Sequence, residues 1–282
     1  MKVCIIGVGL IGGSFALGLK KNFSEVKIYG IDARKDHLEK AESIGVIDAS
    51  GELEEVRDAD LVILSIPVNV IPQVLTKVLD LVPAEALVID MGSTKESICE
   101  SVANHPGRRN YLAAHPIAGT EFSGPEAAFE GLFEGKTTII CEVEKTAFQL
   151  QERALEIFRK LGMRIRYMDP KAHDRHIAYV SHLSHISSFM LGKTVLEKEK
   201  NERDIFDLAG SGFASTVRLA KSSPAMWTPI FEQNKKNVLE TLTEYINNLS
   251  GFRTLLENNS FPEIYQEMEQ TNHIKKVLNG II

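Results

Sequence analysis

The sequence predicts an α/β protein in which a doubly wound, Rossmann-type domain is followed by an all-helical C-terminal domain. Short apolar runs alternate with helical segments up to about Pro170, and a glycine-rich loop follows the first run. Beyond Pro170 the sequence shows no strand-like run. With 282 residues, 44% of them hydrophobic, the chain is long enough for two domains, which we place at residues 1–169 and 170–282.

The expected strands are continuous apolar runs, a pattern typical of strands that are buried on both faces of a largely parallel sheet. They are Val3–Ile6, Lys27–Ile31, Leu61–Ile66, Leu87–Asp90, Tyr111–Ala114, Thr137–Cys141 and Arg164–Met168. Helical segments are expected at Ser14–Lys21, Lys35–Ile44, Val70–Leu81, Thr146–Leu161 and Ile230–Leu249. The repeated order of strand, helix and strand predicts the doubly wound domain.

Composition excludes several classes of function. The net charge of −6 provides no basic surface, so nucleic acid is not an expected partner. Cys4, Cys99 and Cys141 lie far apart without a CxxC pair, which argues against a disulfide framework or a zinc knuckle. Because no apolar run could span a membrane and no signal peptide precedes the first strand, we expect a cytoplasmic protein without a membrane partner.

The loop Gly-Val-Gly-Leu-Ile-Gly at residues 7–12 joins the first strand to a helix. Its glycines suit a tight turn, a close approach to a pyrophosphate, and helix packing on the strand. Asp32 ends the second strand, where its carboxylate can bind the ribose of NAD and repel the 2′-phosphate of NADP. NADP stays an alternative cofactor, because Arg34 could bind that phosphate. The expected cofactor contacts are Gly7, Gly9, Leu10, Ile11, Gly12, Asp32, Arg34, Ser65, Ile66 and Pro67.

Polar side chains follow the later strands, at the edge of the sheet where α/β proteins bind ligands. Ser93 and Lys95 follow the fourth strand, and we expect their hydroxyl and ammonium groups to face the crevice. His115 ends the fifth strand and could accept a proton while hydride leaves a carbinol carbon; a partly buried structural histidine fits its position equally well. Arg218 follows a glycine break at 210–212 and suits bidentate capture of a carboxylate, or a surface ion pair.

Four histidines, His173, His176, His182 and His185, form a cluster at the start of the helical domain. A spacing of three residues is compatible with metal ligands, but no cysteine and no HExxH frame accompany them. We therefore expect these histidines to line a substrate pocket or to pack between helices, with no metal bound.

These segments, in this order, resemble the prephenate/arogenate dehydrogenase family of tyrosine biosynthesis, over nearly the whole chain. The motifs that carry the resemblance are DMGSTK at 90–95, HPIAGTE at 115–121, HDRHIAYVSHLSH at 173–185 and GFASTVRLAKSSPAMW at 212–227, followed by Asn234. The glycine loop is shared by many dehydrogenases and adds little to the resemblance.

The resemblance implies roles for individual residues. His115 would be the catalytic histidine on the ring hydroxyl, Ser93 would contact this hydroxyl and the nicotinamide, and Arg218 would hold the ring carboxylate. His185 and His173 would line the pocket, and Glu121 would be a gating acid near its mouth. Two positions depart from the family pattern: Ser215 stands where an acid is common, and Ser184 stands where a proline is common.

The implied reaction is the NAD-dependent oxidative decarboxylation of prephenate to 4-hydroxyphenylpyruvate, by a homodimer that forms through the helical domain. The alternative substrate is arogenate, which carries an amino group in place of the keto group, remote from the reacting carbon. A β-hydroxyacid dehydrogenase or imine reductase would use Lys235 near Asn234, but HPIAGTE would then have no role. A non-catalytic NAD-sensing protein would leave the polar groups at the strand ends unexplained.

Overall fold

The computed structural model describes residues 1–200, 202 and 204–279. Within these residues one eight-stranded sheet has the order β3-β2-β1-β4-β5-β6-β7-β8. The strands are β1 (Lys2–Ile6), β2 (Lys27–Ile31), β3 (Ala49–Ser50), β4 (Leu61–Leu64), β5 (Leu87–Asp90), β6 (Tyr111–Pro116), β7 (Thr137–Cys141) and β8 (Arg164–Met168). Neighbouring strands are parallel except β6 and β7, which are antiparallel. The predicted doubly wound sheet is confirmed.

Two sets of helices accompany the sheet along the chain. Up to β8 they are α1 (Leu10–Asn22), α2 (Lys35–Ser43), α3 (Ile71–Leu81), α4 (Glu96–Ser101) and α5 (Phe148–Lys160). After β8 they are α6 (Pro170–Ile177), α7 (Leu183–Glu199), α8 (Ser211–Val217), α9 (Pro224–Gln233), α10 (Lys235–Glu257), α11 (Phe261–Thr271) and α12 (Ile274–Leu278). No described residue after Met168 lies in a strand, so the all-helical character of this region is confirmed.

The sheet separates two apolar cores, because successive strand residues point to opposite faces. Ile5 of β1 lies in one core, together with residues of α1 and α5 such as Phe15 and Phe158. Cys4 lies in the other, together with residues of α3 and α9 such as Leu75 and Trp227. Continuous apolar runs were therefore needed in the central strands, as the sequence indicated.

Several element bounds differ from the expected ones. β4 ends at Leu64 rather than Ile66, because Ser65 leaves the strand and its hydroxyl donates to the Gly7 carbonyl at 2.7 Å. β6 continues to Pro116, since it pairs with β7 as far as Thr138. The short β3 was not predicted. The helical segment Ile230–Leu249 is interrupted at Asn234, where α9 ends.

The chain contacts divide the protein into two compact units, Met1–Lys235 and the residues from Lys236 onwards. Helices α6 and α9 belong to the first unit because they bond to the ends of strands: Asp174 accepts from the Lys95 amide, and Gln233 accepts from the Thr94 hydroxyl. The domain boundary at 169/170 stays a prediction. None of the helices in the described residues has the length and apolar character needed to cross a membrane.

Candidate active site

The glycine loop follows β1, which lies between β2 and β4 in the sheet. The strand order reverses direction at this point, which is where open α/β sheets bind ligands. Gly7 has a φ of +93°, and a Cβ atom there would lie 2.5 Å from the Ser65 carbonyl oxygen. A Cβ atom on Gly12 would collide with the Gly7 carbonyl oxygen and the Ser65 hydroxyl. Both positions therefore require glycine for the packing of α1 on the sheet.

Gly9 is constrained differently. It is the N-cap of α1, and a Cβ atom on it would meet no atom within 4 Å. The outer side of the loop is thus open at the positive end of a helix, as a pyrophosphate requires. The loop geometry fits a bound dinucleotide.

Asp32 is fixed at the end of β2 by two backbone donors, the amides of Val8 at 3.1 Å and Arg34 at 2.9 Å. Arg34 directs its exposed guanidinium to Asp36, with Nε 3.1 Å from a carboxylate oxygen. The ribose side of the loop therefore presents a carboxylate, and the nearby arginine is already paired. This arrangement favours NAD over NADP.

His115 is buried near the end of β6 and heads a chain of hydrogen bonds. Its Nδ1 lies 2.8 Å from Nε2 of His173, and Nδ1 of His173 lies 2.7 Å from a carboxylate oxygen of Asp174. Since an ionised carboxylate can only accept, His173 carries its proton on Nδ1 and accepts at Nε2. Nδ1 of His115 is then the donor, and its Nε2 is left without a proton, ready to act as a base.

Local sequence explains why Asp174 reaches the start of α4. Asp169 caps α6, accepting from the amides of Lys171 at 2.9 Å and Ala172 at 3.2 Å, and Pro170 occupies the first helical position. One turn later, the Asp174 carboxylate accepts from the amides of Lys95 at 2.7 Å and Glu96 at 3.0 Å. The carboxylate is thereby fixed by two backbone donors as well as by His173.

Burial holds the pKa of His115 well below its ordinary value, and the neighbouring His173, Lys95 and His182 lower it further when charged. His115 is therefore neutral at neutral pH. A neutral imidazole in this position can accept a proton, whereas a cationic one could not.

His182 lies on a π-helical turn, Ala178–His182, between α6 and α7. In a regular α-helix its separation of nine residues from His173 would place the two on opposite faces, because nine residues make about two and a half turns. The π turn changes that register, and burial lowers the pKa of His182 to about 4. The Asn234 side chain lies 3.2 Å from Nδ1 of His182. Nε2 of His182 is buried and has no hydrogen-bond partner among the described residues.

His185 stacks on Trp227, with ring centroids 3.5 Å apart. Its pKa is lowered by burial and, less strongly, by the positive charge of Arg218. Arg218 follows the end of α8, and its guanidinium lies 3.3 Å from a carboxylate oxygen of Glu121, six residues beyond His115. The structure thus joins Arg218 to the loop that follows β6, with the arginine half exposed at 52%.

Lys95 does not face the crevice, and this expectation was wrong. Its side chain is completely buried, where it is ion-paired with Asp90 and donates to the Ala114 carbonyl. Ser93 is half-buried, and its hydroxyl has no hydrogen bond to another described residue. Sequence reasoning missed Asp174, although its position directly after His173 in the HDR segment was a usable signal. The described residues contain no group of three potential metal ligands.

Two family models together match most of the chain. The nucleotide-binding domain of prephenate dehydrogenase matches residues 15–167, and the prephenate dehydrogenase dimerization domain matches residues 169–270. The prephenate dehydrogenase of Bacillus subtilis (strain 168) is 32% identical over 271 residues, which cover 94% of this chain and 72% of the relative.

Solved structures agree with these sequence matches. The crystal structure of prephenate dehydrogenase from A. aeolicus in complex with hydroxyphenyl propionate and NAD⁺ has a TM-score of 0.90 and 32% identity, and the match covers 99% of this chain and 98% of that one. Synechocystis arogenate dehydrogenase matches with a TM-score of 0.77 and 27% identity, over 99% of this chain and 100% of that one.

Proposed function

Since the chain belongs to the prephenate dehydrogenase family, we propose that it oxidises and decarboxylates prephenate to 4-hydroxyphenylpyruvate with NAD. The observation that supports this most directly is the chain from Asp174 through His173 to His115 at the end of β6. It supplies a neutral base that can accept the proton of a hydroxyl group while the carbon that carries this group gives up hydride.

The proton has a defined route in this proposal. Nε2 of His115 accepts the proton of the ring hydroxyl, and the resulting charge is stabilised because His173 can accept from Nδ1. Asp174 holds His173 in the required tautomer, as a carboxylate does for the histidine of a catalytic triad. When the ring carboxylate leaves as carbon dioxide, its bonding electrons make the ring aromatic, and His115 returns the proton to the phenolate oxygen.

When bound, NAD⁺ supplies the acceptor for the hydride. We assign its pyrophosphate to the loop that contains Gly7, Gly9, Leu10, Ile11 and Gly12 at the start of α1, and its ribose to Asp32. Ile66 and Pro67 follow β4 beside this loop and are assigned to the nicotinamide side. Ser65 supports the loop through its hydrogen bond to the Gly7 carbonyl. Arg34 is assigned to the side of the ribose, where its guanidinium is already paired with Asp36 and so does not require a 2′-phosphate.

Arg218 is assigned to the ring carboxylate, with Glu121 as its partner before substrate binds. A carboxylate ligand would compete with Glu121 for the guanidinium, so the ion pair can open as the substrate enters. Ser93 is assigned to the reacting hydroxyl and His185 to the pocket wall, whereas His173, buried and bonded through both ring nitrogens, supports His115 from behind.

Steady-state kinetics with prephenate and arogenate, each with NAD and NADP, tests the proposed function. We expect the highest kcat/KM for prephenate with NAD. Two relatives named prephenate dehydrogenases are 32% identical to this chain, against 27% for the arogenate dehydrogenase. A higher kcat/KM for arogenate would reassign the substrate, and the absence of turnover with either would overturn the proposal.

We also propose a homodimer that forms through the helical region. The dimerization-domain match covers residues 169–270, and the unit that begins at Lys236 exposes a series of large apolar side chains. They include Leu239, Ile246, Leu249, Phe252, Phe261, Tyr265 and Met268. So many exposed large apolar side chains in one unit indicate a protein–protein interface.

A further inference from the structure

Lys95 is a lysine without any solvent exposure, which is rare because burying an ammonium group is costly. Its Nζ is ion-paired with the Asp90 carboxylate and donates to the Ala114 carbonyl at 2.8 Å. Asp90 in turn accepts from the Tyr111 hydroxyl at 2.7 Å and the Gly92 amide at 3.0 Å. Every side chain in this buried network therefore has a hydrogen-bond partner, although none of them has a role in the proposed proton transfer.

The side chain of Lys95 acts at the peptide that precedes the catalytic base. Pairing between β5 and β6 stops at Asp90 and Ala113, so Ala114 lies one residue beyond the last pair. The Ala114 carbonyl belongs to the peptide group that carries the nitrogen of His115. Pairing with β7 holds Ala114 and His115 on one side of β6, and the ammonium binds this oxygen where β5 no longer pairs. The two together fix the plane of the peptide and the direction in which the His115 side chain leaves β6.

The backbone of the same residue acts at the other end of the histidine chain. The Lys95 amide donates at 2.7 Å to the Asp174 oxygen that also contacts His173. One residue thus holds His115 through its side chain and His173 through its amide. The 2.8 Å contact between the two imidazoles depends on both ends being fixed.

We propose that Lys95, paired with Asp90, is a positioning residue that holds His115 in line with His173 and keeps a positive charge beneath the base. This inference rests on the proposed function. The charged or titratable groups that face His115 are Lys95 at the start of α4, His173 on α6 and His182 on the π turn.

The test removes both members of the pair, so that neither is left as an uncompensated buried charge. In the double variant Lys95→Met with Asp90→Asn, the new amide can still accept from Tyr111, and the amide of residue 95 is unchanged. We expect kcat to fall by about tenfold to a hundredfold, a size typical of small misplacements of a catalytic group, with KM for both substrates nearly unchanged. The acidic limb of kcat/KM should move to higher pH, because of the two charges removed only that of Lys95 is among those that lower the pKa of His115.

Asn110→Ala is the matched control, since it removes another buried, hydrogen-bonded side chain at the opposite end of β6. It should lower the melting temperature without moving the pH profile. The milder pair Lys95→Gln with Asp90→Asn keeps an amide donor for Ala114, and should recover part of kcat while the pH limb stays shifted. Unchanged kcat and an unchanged pH limb in either folded pair would overturn the proposal.

If neither pair folds, the two residues belong to the sheet core and the proposal is also overturned. A histidine ring NMR titration provides a readout that does not depend on turnover: the pKa of His115 should be higher in the double variant than in the unmodified protein. A raised pKa with no turnover of prephenate by the unmodified protein would support the inference about Lys95 and contradict the proposed function. An unchanged pKa with normal turnover would do the reverse.

Discussion

At the scale of single residues, His115 concentrates most of the proposed chemistry. Its neighbours fix both its tautomer and its charge, because Asp174 orients His173 and His173 accepts from His115. Burial then keeps the ring neutral. A solvent-exposed histidine would have neither property and would titrate near its ordinary pKa.

We expect His115→Asn to lower kcat by about 10²- to 10⁴-fold, the range typical of a lost general base. The affinity for NAD should stay unchanged, because the asparagine lies outside the glycine loop. Initial rates from NADH absorbance and a fluorescence titration with NAD measure the two quantities. His176→Asn replaces an exposed histidine of the same histidine cluster and should behave like the unmodified protein. Full turnover by His115→Asn would rule out the assigned base.

Arg218→Ala removes the proposed partner of the ring carboxylate. A hydrogen bond to a charged group contributes about 1.5–3 kcal/mol, so kcat/KM for prephenate should fall by roughly tenfold to a hundredfold, mainly through KM. Lys221→Ala, an exposed cation of the same helical turn, serves as the control in these kinetics. Glu121→Gln should leave KM equal or lower, since it releases Arg218 from its ion pair. An unchanged KM in Arg218→Ala would show that the ion pair with Glu121 is its whole role.

At the scale of elements, the β1 to α1 connection separates two different demands for glycine. At Gly12 the space for a side chain is already filled by the Gly7 carbonyl and Ser65, whereas at Gly9 it is open. Gly12 is required by packing within the protein. Glycine at position 9 is explained by a ligand that approaches the backbone there.

Gly12→Ala should therefore lower the free energy of unfolding by about 1–3 kcal/mol, as overpacking does, and weaken NAD binding as well. Gly9→Ala should keep the melting temperature and lose affinity for NAD. Differential scanning fluorimetry with and without NAD distinguishes the two variants. Normal NAD-induced stabilisation of Gly9→Ala would contradict the assigned pyrophosphate position.

At the scale of the whole molecule, the exposed apolar side chains of α10 and α11 support the proposed homodimer. Ile246 is 51% exposed, and a charge there would disrupt an apolar interface. We expect Ile246→Glu to convert the dimer to a monomer in sedimentation velocity measurements. Lys136→Glu, a charge reversal at an exposed loop residue before β7, should remain dimeric. A monomeric unmodified protein would contradict the proposed assembly.

Buried histidines also make the stability of the whole protein depend on pH. The pKa values of His115 and His182 are lower in the folded protein than the ordinary value of 6.5, so the unfolded chain binds more protons as the pH falls. Their contribution to stability is complete above about pH 6.5 and is lost as the pH falls below it. The melting temperature should accordingly fall between about pH 7 and about pH 5, and fall less steeply in His182→Asn. Equal slopes in the two proteins would contradict this origin.

The sequence by itself determined the α/β fold and the family, because each depends on local patterns. Continuous apolar runs identify buried parallel strands, and the glycines at 7, 9 and 12 with Asp32 predict the position of the dinucleotide. The predicted strand positions also brought Ser93 and His115 to the same edge of the sheet.

Tertiary structure decided which of these side chains meet. His115 and His173 are 58 positions apart, and their 2.8 Å contact depends on how α6 packs against α4 and β7. The π turn that contains His182 has no recognisable sequence pattern, and the burial of Lys95 depends on its contacts with Asp90 and the Ala114 carbonyl, 19 positions away. Hydrogen bonds and burial between distant segments are set by the orientation of whole elements, which local residue patterns do not encode.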